Sequence, residues 1–228
     1  MKKSTLYLIV CILITTISFS QNNCSKYYPM DEGTTFQYTN YSKNGKISGI
    51  IDHSIVNNRI EDGNEVVSMT TKMSDKKGEL IMESSHNITC TGDGISIDFK
   101  SMMNPQLMTQ FGKFDYEITG TNLELPNDLS VGLELPDSSM KLVVNMGMSM
   151  NVLVTVKDRK VIGEESVTTP SGTYDCYILT STLDIDMMLK IEGSSKQWIA
   201  EGIGMVKQES YDDNGKLTSY SELTKFKK

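Results

Sequence analysis

Three methionines alternate with small residues near the middle of the chain, at Met146, Met148 and Met150. Thioether sulfurs at this spacing are soft ligands that could hold Cu(I). Every even position from Met140 to Val156 is apolar, so a strand would turn all of these side chains to one buried face. We therefore predict that the methionines pack in an interior and, with Met187, line a concave site for a lipophilic ligand. We predict no metal and no cofactor.

The chain has two histidines, His53 and His86, and both fall on the apolar face of a predicted strand. A metal site shared between them would need a third ligand and the close ligand spacing of zinc motifs, and the sequence offers neither. We interpret both histidines as hydrogen-bonded side chains at the rim of the core.

Two pairs of carboxylates could do acid–base chemistry if burial raised the pKa of one member. Asp184 and Asp186 alternate with apolar residues and should face solvent. Asp212 and Asp213 precede the turn signal Asn214-Gly215. The sequence also lacks a Gly-x-Ser-x-Gly nucleophile elbow and a phosphate-binding loop. We predict no catalytic residues and do not expect an enzyme.

The N-terminus has the features of an export signal. Two lysines precede an apolar run, Leu6 to Ile17, that is too short to span a bilayer comfortably. Small residues at Ser18 and Ser20 match the positions before a signal-peptidase cleavage site. We predict a signal peptide over residues 1–20 and a single β domain over residues 21–228.

The composition is acidic, with 22 Lys and Arg against 29 Asp and Glu and a formal net charge of −7. Because a phosphate backbone needs a basic face, we do not expect nucleic acid as a partner. No apolar run in the mature chain is long enough for a transmembrane helix. We expect an exported protein of the periplasm or the cell surface.

Three cysteines follow the predicted signal peptide. Cys24 and Cys90 lie beside polar turn sequences, whereas Cys176 lies within a strand-like run and should be a small buried side chain. In an exported protein this pattern predicts one disulfide, Cys24–Cys90, and one free thiol. Lipidation of Cys24 is the alternative, although the polar residues at positions 21–23 do not match a lipidation site.

Almost every segment of the mature chain alternates with period two, which is typical of antiparallel strands. Asn-Gly, Asp-Gly and Lys-Gly pairs between the segments supply the positive φ that tight hairpins need. A short helix is predicted from Asn104 to Phe111, because Asn104 can cap it and Pro105 suits its first turn. The fold class is therefore all-β: a strongly curved antiparallel meander sheet or half-open barrel with one short helix.

The apolar face from Met140 to Val156 is too long for an ordinary strand. It predicts either one strongly curved strand or two strands that meet at a turn near Gly147. The run from Leu183 to Ile191 also alternates, and we predict that it is the partner strand, with its odd-numbered residues pointing inward.

One short phrase, Asn-Gly-Lys-aliphatic-hydroxyl, occurs at residues 44–48 and again at residues 214–218. It indicates one type of β-hairpin, which we predict to lie at both ends of a single sheet.

Three stretches carry a family resemblance: Cys24 to Met30 with Glu32 to Thr35, then Glu165 to Cys176, and then Trp198 to Lys207. The Thr-Pro-Ser-Gly-Thr-Tyr phrase in the second is the most specific. Together they resemble the TapB-type exported proteins of Bacteroidota, an uncharacterised domain family, and more weakly the half-barrels of LolA-like lipoprotein carriers. The resemblance covers the mature chain and implies a curved antiparallel sheet. It implies no catalytic residues.

These features favour an exported, non-enzymatic envelope protein that binds or carries a lipophilic ligand in a Met-lined concave face. The alternative is a structural or assembly protein that acts at the surface through protein contacts. The expected partner is accordingly a lipophilic small molecule or another envelope protein.

Overall fold

The computed structural model describes residues 24–98, 114–145, 147, 149–187 and 189–228. Within these ranges the chain forms thirteen strands and no helix, and so no helix that could cross a bilayer. The predicted signal peptide and the predicted helix at residues 104–111 lie outside the described residues. The strands are β1 (Thr35–Ser42), β2 (Ile47–Glu61), β3 (Asn64–Asp75), β4 (Leu80–Cys90), β5 (Gly94–Ile97), β6 (Asp115–Gly120), β7 (Leu123–Pro126), β8 (Ser138–Asn145), β9 (Ser149–Thr169), β10 (Gly172–Asp186), β11 (Lys190–Ala200), β12 (Gly204–Asp212) and β13 (Leu217–Lys227).

All thirteen strands form one antiparallel sheet, in the order β6-β8-β9-β10-β11-β12-β13-β1-β2-β3-β4-β5-β7. Most neighbours in this order are also neighbours in the chain, because short turns join successive strands. The predicted all-β meander is confirmed. At the centre of the sheet β1 pairs with β13, which joins the first strand of the chain to the last.

The two hairpins that share the Asn-Gly-Lys phrase lie side by side at the centre of the sheet, so their predicted place at its two ends is wrong. The Lys43 N–H donates to the Thr218 carbonyl (3.1 Å). The rings of Tyr41 and Tyr220 stack with centroids 4.8 Å apart. The cause is the pairing of β1 with β13, which places the turns of the two hairpins next to each other.

The two edges of the sheet come from one continuous stretch of chain. β6 pairs with β8 and β7 pairs with β5, yet only Thr121 and Asn122 separate β6 from β7. The Thr121 N–H donates to the Ser139 carbonyl beside β6 (2.8 Å), and the Asn122 side-chain amide donates to Ser96 Oγ on β5 (3.0 Å). The sheet is open because β6 and β7 do not pair with each other, but it must curve until its edges meet here.

The long even-numbered apolar face is divided between two strands, which confirms the second of the two predicted arrangements. β8 ends at Asn145, β9 begins at Ser149, and Gly147 between them has a φ of +84°, which glycine adopts without strain. The inward side chains of β8 are buried, with Leu142 2% and Val144 0% exposed.

The predicted partner run is divided between two strands. Leu183 to Asp186 pair with β9 as predicted, but most of the odd-numbered residues of the run are exposed rather than buried. β10 ends at Asp186 and β11 begins at Lys190, so the run spans the connection between two strands. Residues near such a connection lie away from the buried cluster, which alternation alone does not reveal. Four of its odd-numbered residues are exposed: Leu183 (40%), Met187 (47%), Leu189 (77%) and Ile191 (55%).

The N-terminal segment and the connection between β7 and β8 pack into the curved sheet together. Tyr27 and Leu129 join the main buried cluster from these two segments, with 2% and 5% exposed. The Lys26 N–H donates to Asn127 Oδ1 (2.7 Å), and the Asn127 side-chain amide donates to the Cys24 carbonyl (3.1 Å). This part of the interior is therefore filled by irregular chain that its own hydrogen bonds hold in place.

A second buried cluster surrounds Trp198 on the opposite face of the sheet from Ile199. Trp198 Nε1 donates to Glu165 Oε2 (2.8 Å). Cys176 packs beside Trp198 as a buried free thiol, as predicted, and burial raises its pKa to about 11.

The predicted disulfide Cys24–Cys90 is present, with Cα atoms 5.4 Å apart and a sequence separation of 66 between the two cysteines. It links the N-terminal segment to the end of β4, so a packed but irregular segment is covalently tied to the sheet.

We predict that Cys24→Ser combined with Cys90→Ser lowers the free energy of unfolding by about 4 kcal/mol, because an unfolded chain without a loop of this size has more conformations. Urea unfolding followed by the fluorescence of the single tryptophan measures the change. Cys176→Ala is the control. It keeps the disulfide, so a reductant should still lower its free energy of unfolding. Peptide mapping that places Cys176 in a disulfide would contradict the assignment.

Candidate functional site

A cavity of about 490 Å³ lies on the core side of the curved sheet. This volume falls within the range of small-molecule sites in proteins. Its walls come from distant parts of the sheet, since β5 and β7 face β9 to β12 across it, and the curvature of the sheet brings them together. The apolar side chains in the walls include Ile97, Leu123, Leu125, Val156, Leu179 and Leu183.

Serine and glutamine side chains on β10, β11 and β12 make one part of the wall polar. The Oγ atoms of Ser181 and Ser195 lie 2.9 Å apart, and Gln197 Nε2 donates to Gln208 Oε1 (2.7 Å). These groups satisfy one another, so this side of the cavity is polar without carrying charge. The cavity therefore has an apolar side and a polar side.

Arg159 on β9 brings a positive charge into the cavity wall. The residue is 6% exposed, and its guanidinium donates from Nη1 to the Pro136 carbonyl (2.9 Å) and from Nη2 to the Glu124 carbonyl (2.8 Å). Burial lowers the pKa of Arg159, while the charges of Glu124 and Asp137 oppose that effect. An arginine still keeps its charge at physiological pH.

A β-bulge in β9 turns Arg159 toward the cavity. Between its pairs with Thr180 and Thr182, β9 places two residues, Asp158 and Arg159, opposite one residue of β10, Ser181. The extra residue shifts the inward positions of β9 from even to odd numbers. Asp158 takes a left-handed φ of +54°, which is uncommon for a residue with a Cβ atom.

The sequence prediction missed Arg159. Its signal is weak: the even-numbered apolar positions stop at Val156, immediately before a charged stretch. The alternation of apolar residues shows where the inward pattern ends. It does not reveal the bulge, after which odd-numbered residues point inward.

Of the four predicted ligand-binding methionines, the structure describes Met150 and Met187. Met146 and Met148 lie outside the described residues. Met150 is half-buried on β9 opposite Val144, and Met187 lies exposed after β10. Neither Met150 nor Met187 lines the cavity, whose described walls are aliphatic and polar.

The two histidines lie on the core side of β2 and β4, as predicted for the rim of the core. His53 Nδ1 is 2.8 Å from Thr71 Oγ1, and the His53 ring meets Tyr38 edge-on with centroids 5.5 Å apart. Burial lowers the pKa of His53 to about 4, and the charge of His86 adds to the shift. Burial also lowers the pKa of His86. Both rings are therefore neutral at neutral pH.

One member of each carboxylate pair is held by structural partners, and the side chain of Asp184, which was predicted to face solvent, is only 18% exposed. Asp184 accepts from Lys157 Nζ (3.2 Å) and lies 3.3 Å from Lys190 Nζ, and the Lys157 hydrogen bond leads the causes that lower the pKa of Asp184. Asp212 Oδ1 accepts from the N–H groups of Asn214 (3.1 Å) and Lys216 (2.8 Å), which fixes the predicted turn. A lowered pKa makes Asp184 a poor general acid.

One group of metal-donor residues comes close together in the part of the chain that the structure describes. It consists of Cys24, Glu65 and Cys90. The disulfide occupies both sulfurs, so the group has no thiolate to offer a metal ion.

Residues 31–223 match the DUF3108-like family model. The chain belongs to the DUF3108-like family. No curated protein matches the sequence.

Two solved structures share the fold of this DUF3108-like chain. A Bacteroides fragilis protein, described as exported and as having a YmcC-like fold, is 22% identical with a TM-score of 0.70. A Parabacteroides distasonis protein, described as a lipoprotein, is 21% identical with a TM-score of 0.71. Each comparison covers 90% of this chain and 100% of the other. At this identity the likeness shows the fold.

We predict that the protein loses stability as the pH falls from about 6.5 to 4, because the unfolded chain then binds protons that folded His53 does not. The contribution of His53 is roughly 3 kcal/mol, at about 1.4 kcal/mol for each pKa unit. Urea unfolding across this pH range measures it.

His53→Gln keeps a hydrogen-bonding side chain beside Thr71 and cannot titrate in this range. This variant should show a smaller loss of stability between pH 6.5 and 4 than the unmodified protein. An equal loss in both proteins would assign the acid sensitivity to other groups.

Proposed function

We propose that this protein is an exported, non-enzymatic envelope protein that binds a lipophilic ligand in the cavity between β5, β7 and β9 to β12. The observation that carries the proposal is the cavity itself, about 490 Å³, with one aliphatic side and one polar side. Protein interiors are close-packed, so an apolar space of this size is a default binding-site hypothesis.

The cavity also has an apolar approach from solvent. Leu183 lines the cavity and is 40% exposed, and the exposed residues Met187, Leu189 and Ile191 lie at the same end of β10 and β11. Clustered exposed apolar side chains are typical of binding surfaces. A lipophilic ligand could therefore enter without crossing a polar rim at this side.

Export to the envelope rests on three separate observations. The N-terminal sequence has the features of a signal peptide. A disulfide ties the N-terminal segment to the sheet, and disulfides persist outside the cytoplasm. The two proteins of similar fold are described as exported and as a lipoprotein. The narrower likeness to TapB-type exported proteins and to LolA-like lipoprotein carriers is part of this proposal.

The described side chains that could do chemistry support a non-enzymatic role. The pKa of the Cys176 thiol is raised, so it is a poor nucleophile, and the Asp184 carboxylate is engaged by two lysines. The His53 ring is hydrogen-bonded to Thr71 on the core side of the sheet. Because burial lowers the pKa of His53 to about 4, this imidazole is a weak general base toward the Thr71 hydroxyl that it contacts.

A second candidate is a structural or assembly role through protein contacts. The exposed apolar residues near the β10–β11 connection favour it, above all Leu189, which is 77% exposed. Crosslinking in the envelope that captures one fixed partner through this connection would support this role over ligand carriage.

We predict that the neutral dye N-phenyl-1-naphthylamine binds the purified protein and that Ser181→Trp weakens binding at least about tenfold, because an indole would fill the cavity. Fluorescence titration of the dye measures the effect. Thr182→Trp is the matched control, since residue 182 is next in the strand and faces the other side.

Equal dye binding by the two tryptophan variants would place the dye outside the cavity. An absence of dye binding by the unmodified protein would contradict the proposed function.

A further inference from the structure

We infer that the ligand of the cavity is a single-chain amphiphile whose anionic head group, a carboxylate or a phosphate, binds Arg159. The inference rests on the proposed function and names the chemical class of its ligand. Four observations support it. Arg159 lacks an ion-pair partner among the described residues, and the nearby carboxylates are hydrogen-bonded elsewhere. A bulge turns Arg159 inward, and apolar residues line the cavity between Arg159 and the opening.

The charge of Arg159 has no ion-pair partner in the described part of the chain. Its hydrogen bonds go to the carbonyl oxygens of Pro136 and Glu124, which are neutral acceptors. Burying a cation without a salt bridge opposes folding, so such a charge in a cavity wall points to a negatively charged ligand.

The two carboxylates whose charges act on Arg159 are hydrogen-bonded elsewhere. Glu124 Oε1 accepts from Ser96 Oγ (2.7 Å), and Asp137 Oδ1 accepts from the Asp158 N–H (3.2 Å). A guanidinium has five N–H donors in a planar fork, and the two carbonyls use two of them. Three N–H donors remain, and guanidinium donors bind the oxygens of a carboxylate or a phosphate strongly.

The backbone next to Arg159 is held in an uncommon conformation that aims this side chain. A regular strand would turn residue 159 to the outer face, because the preceding inward residue is Val156. The bulge at Asp158 and its left-handed φ reverse this direction. Bulges and strained residues of this kind recur at binding sites, where they orient one functional side chain.

The register of the strands orders the cavity from its floor to its opening. Buried Leu179, which pairs with Val161, forms the floor, and Arg159 opposite Ser181 forms the next row. Val156 and Leu183 form the row beyond, toward the exposed end of β10. An amphiphile would therefore bind with its head group at Arg159 and its chain directed along the apolar row to the opening.

The test is displacement of the bound neutral dye by three ligands of equal chain length: dodecanoate, dodecyl phosphate and dodecanol. We expect at least one of the two anions to displace the dye at a concentration about tenfold or more below that of dodecanol. In Arg159→Met, the ratio of the displacing concentration of dodecanol to that of the anion should fall to about one. Arg59→Met, which changes the other arginine of the chain, should leave the preference intact.

Arg159→Lys serves if the Met variant fails to fold, as judged by tryptophan fluorescence. It keeps the charge without the planar fork, so the preference for the anion should shrink but persist. Stronger displacement by dodecanoate than by dodecyl phosphate, or the reverse, supports the inference and identifies the head group.

Two results would overturn the inference while leaving the proposed function in place. One is equal displacement by the anions and dodecanol in the unmodified protein, and the other is an unchanged preference in a folded Arg159→Met protein. Failure of the dye and of all three ligands to bind would instead remove the proposed function itself.

Discussion

The passage of one chain segment from one edge of the sheet to the other is the constraint on which the rest of the structure depends. β6 hydrogen-bonds to β8, β7 hydrogen-bonds to β5, and two residues connect them. A flat sheet of thirteen strands would hold its edges far apart, at about 4.8 Å for each strand. The sheet must therefore curve through its whole width, and an enclosed interior follows from that curvature.

The interior is filled unevenly, and the difference gives the protein its candidate site. The N-terminal segment and the β7–β8 connection pack into the main buried cluster, and the Cys24–Cys90 disulfide holds the first of them to β4. Beyond the buried Leu179, the wall includes serines, glutamines and Arg159. Local departures from good packing of this kind are typical of functional sites.

The sequence predicted the features that depend on local chemistry. Period-two alternation and glycine turns indicated the meander, Gly147 indicated the break in the long apolar face, and the polar surroundings of two cysteines indicated the Cys24–Cys90 bond. Features that depend on the whole sheet were beyond it. The central pairing of β1 with β13, the exposure of Leu189 and the inward turn of Arg159 at a bulge follow from long-range register, which alternation cannot provide.

A lipophilic ligand in the cavity should be visible by native mass spectrometry of the mature protein. The protein would be purified from the envelope of its own cells without detergent and measured before and after organic-solvent extraction. We expect an adduct of lipid mass that extraction removes. Added dodecanoate or dodecyl phosphate should then restore an adduct of one molecule per chain. A single unliganded mass before extraction, with no adduct after addition of the amphiphile, would contradict it.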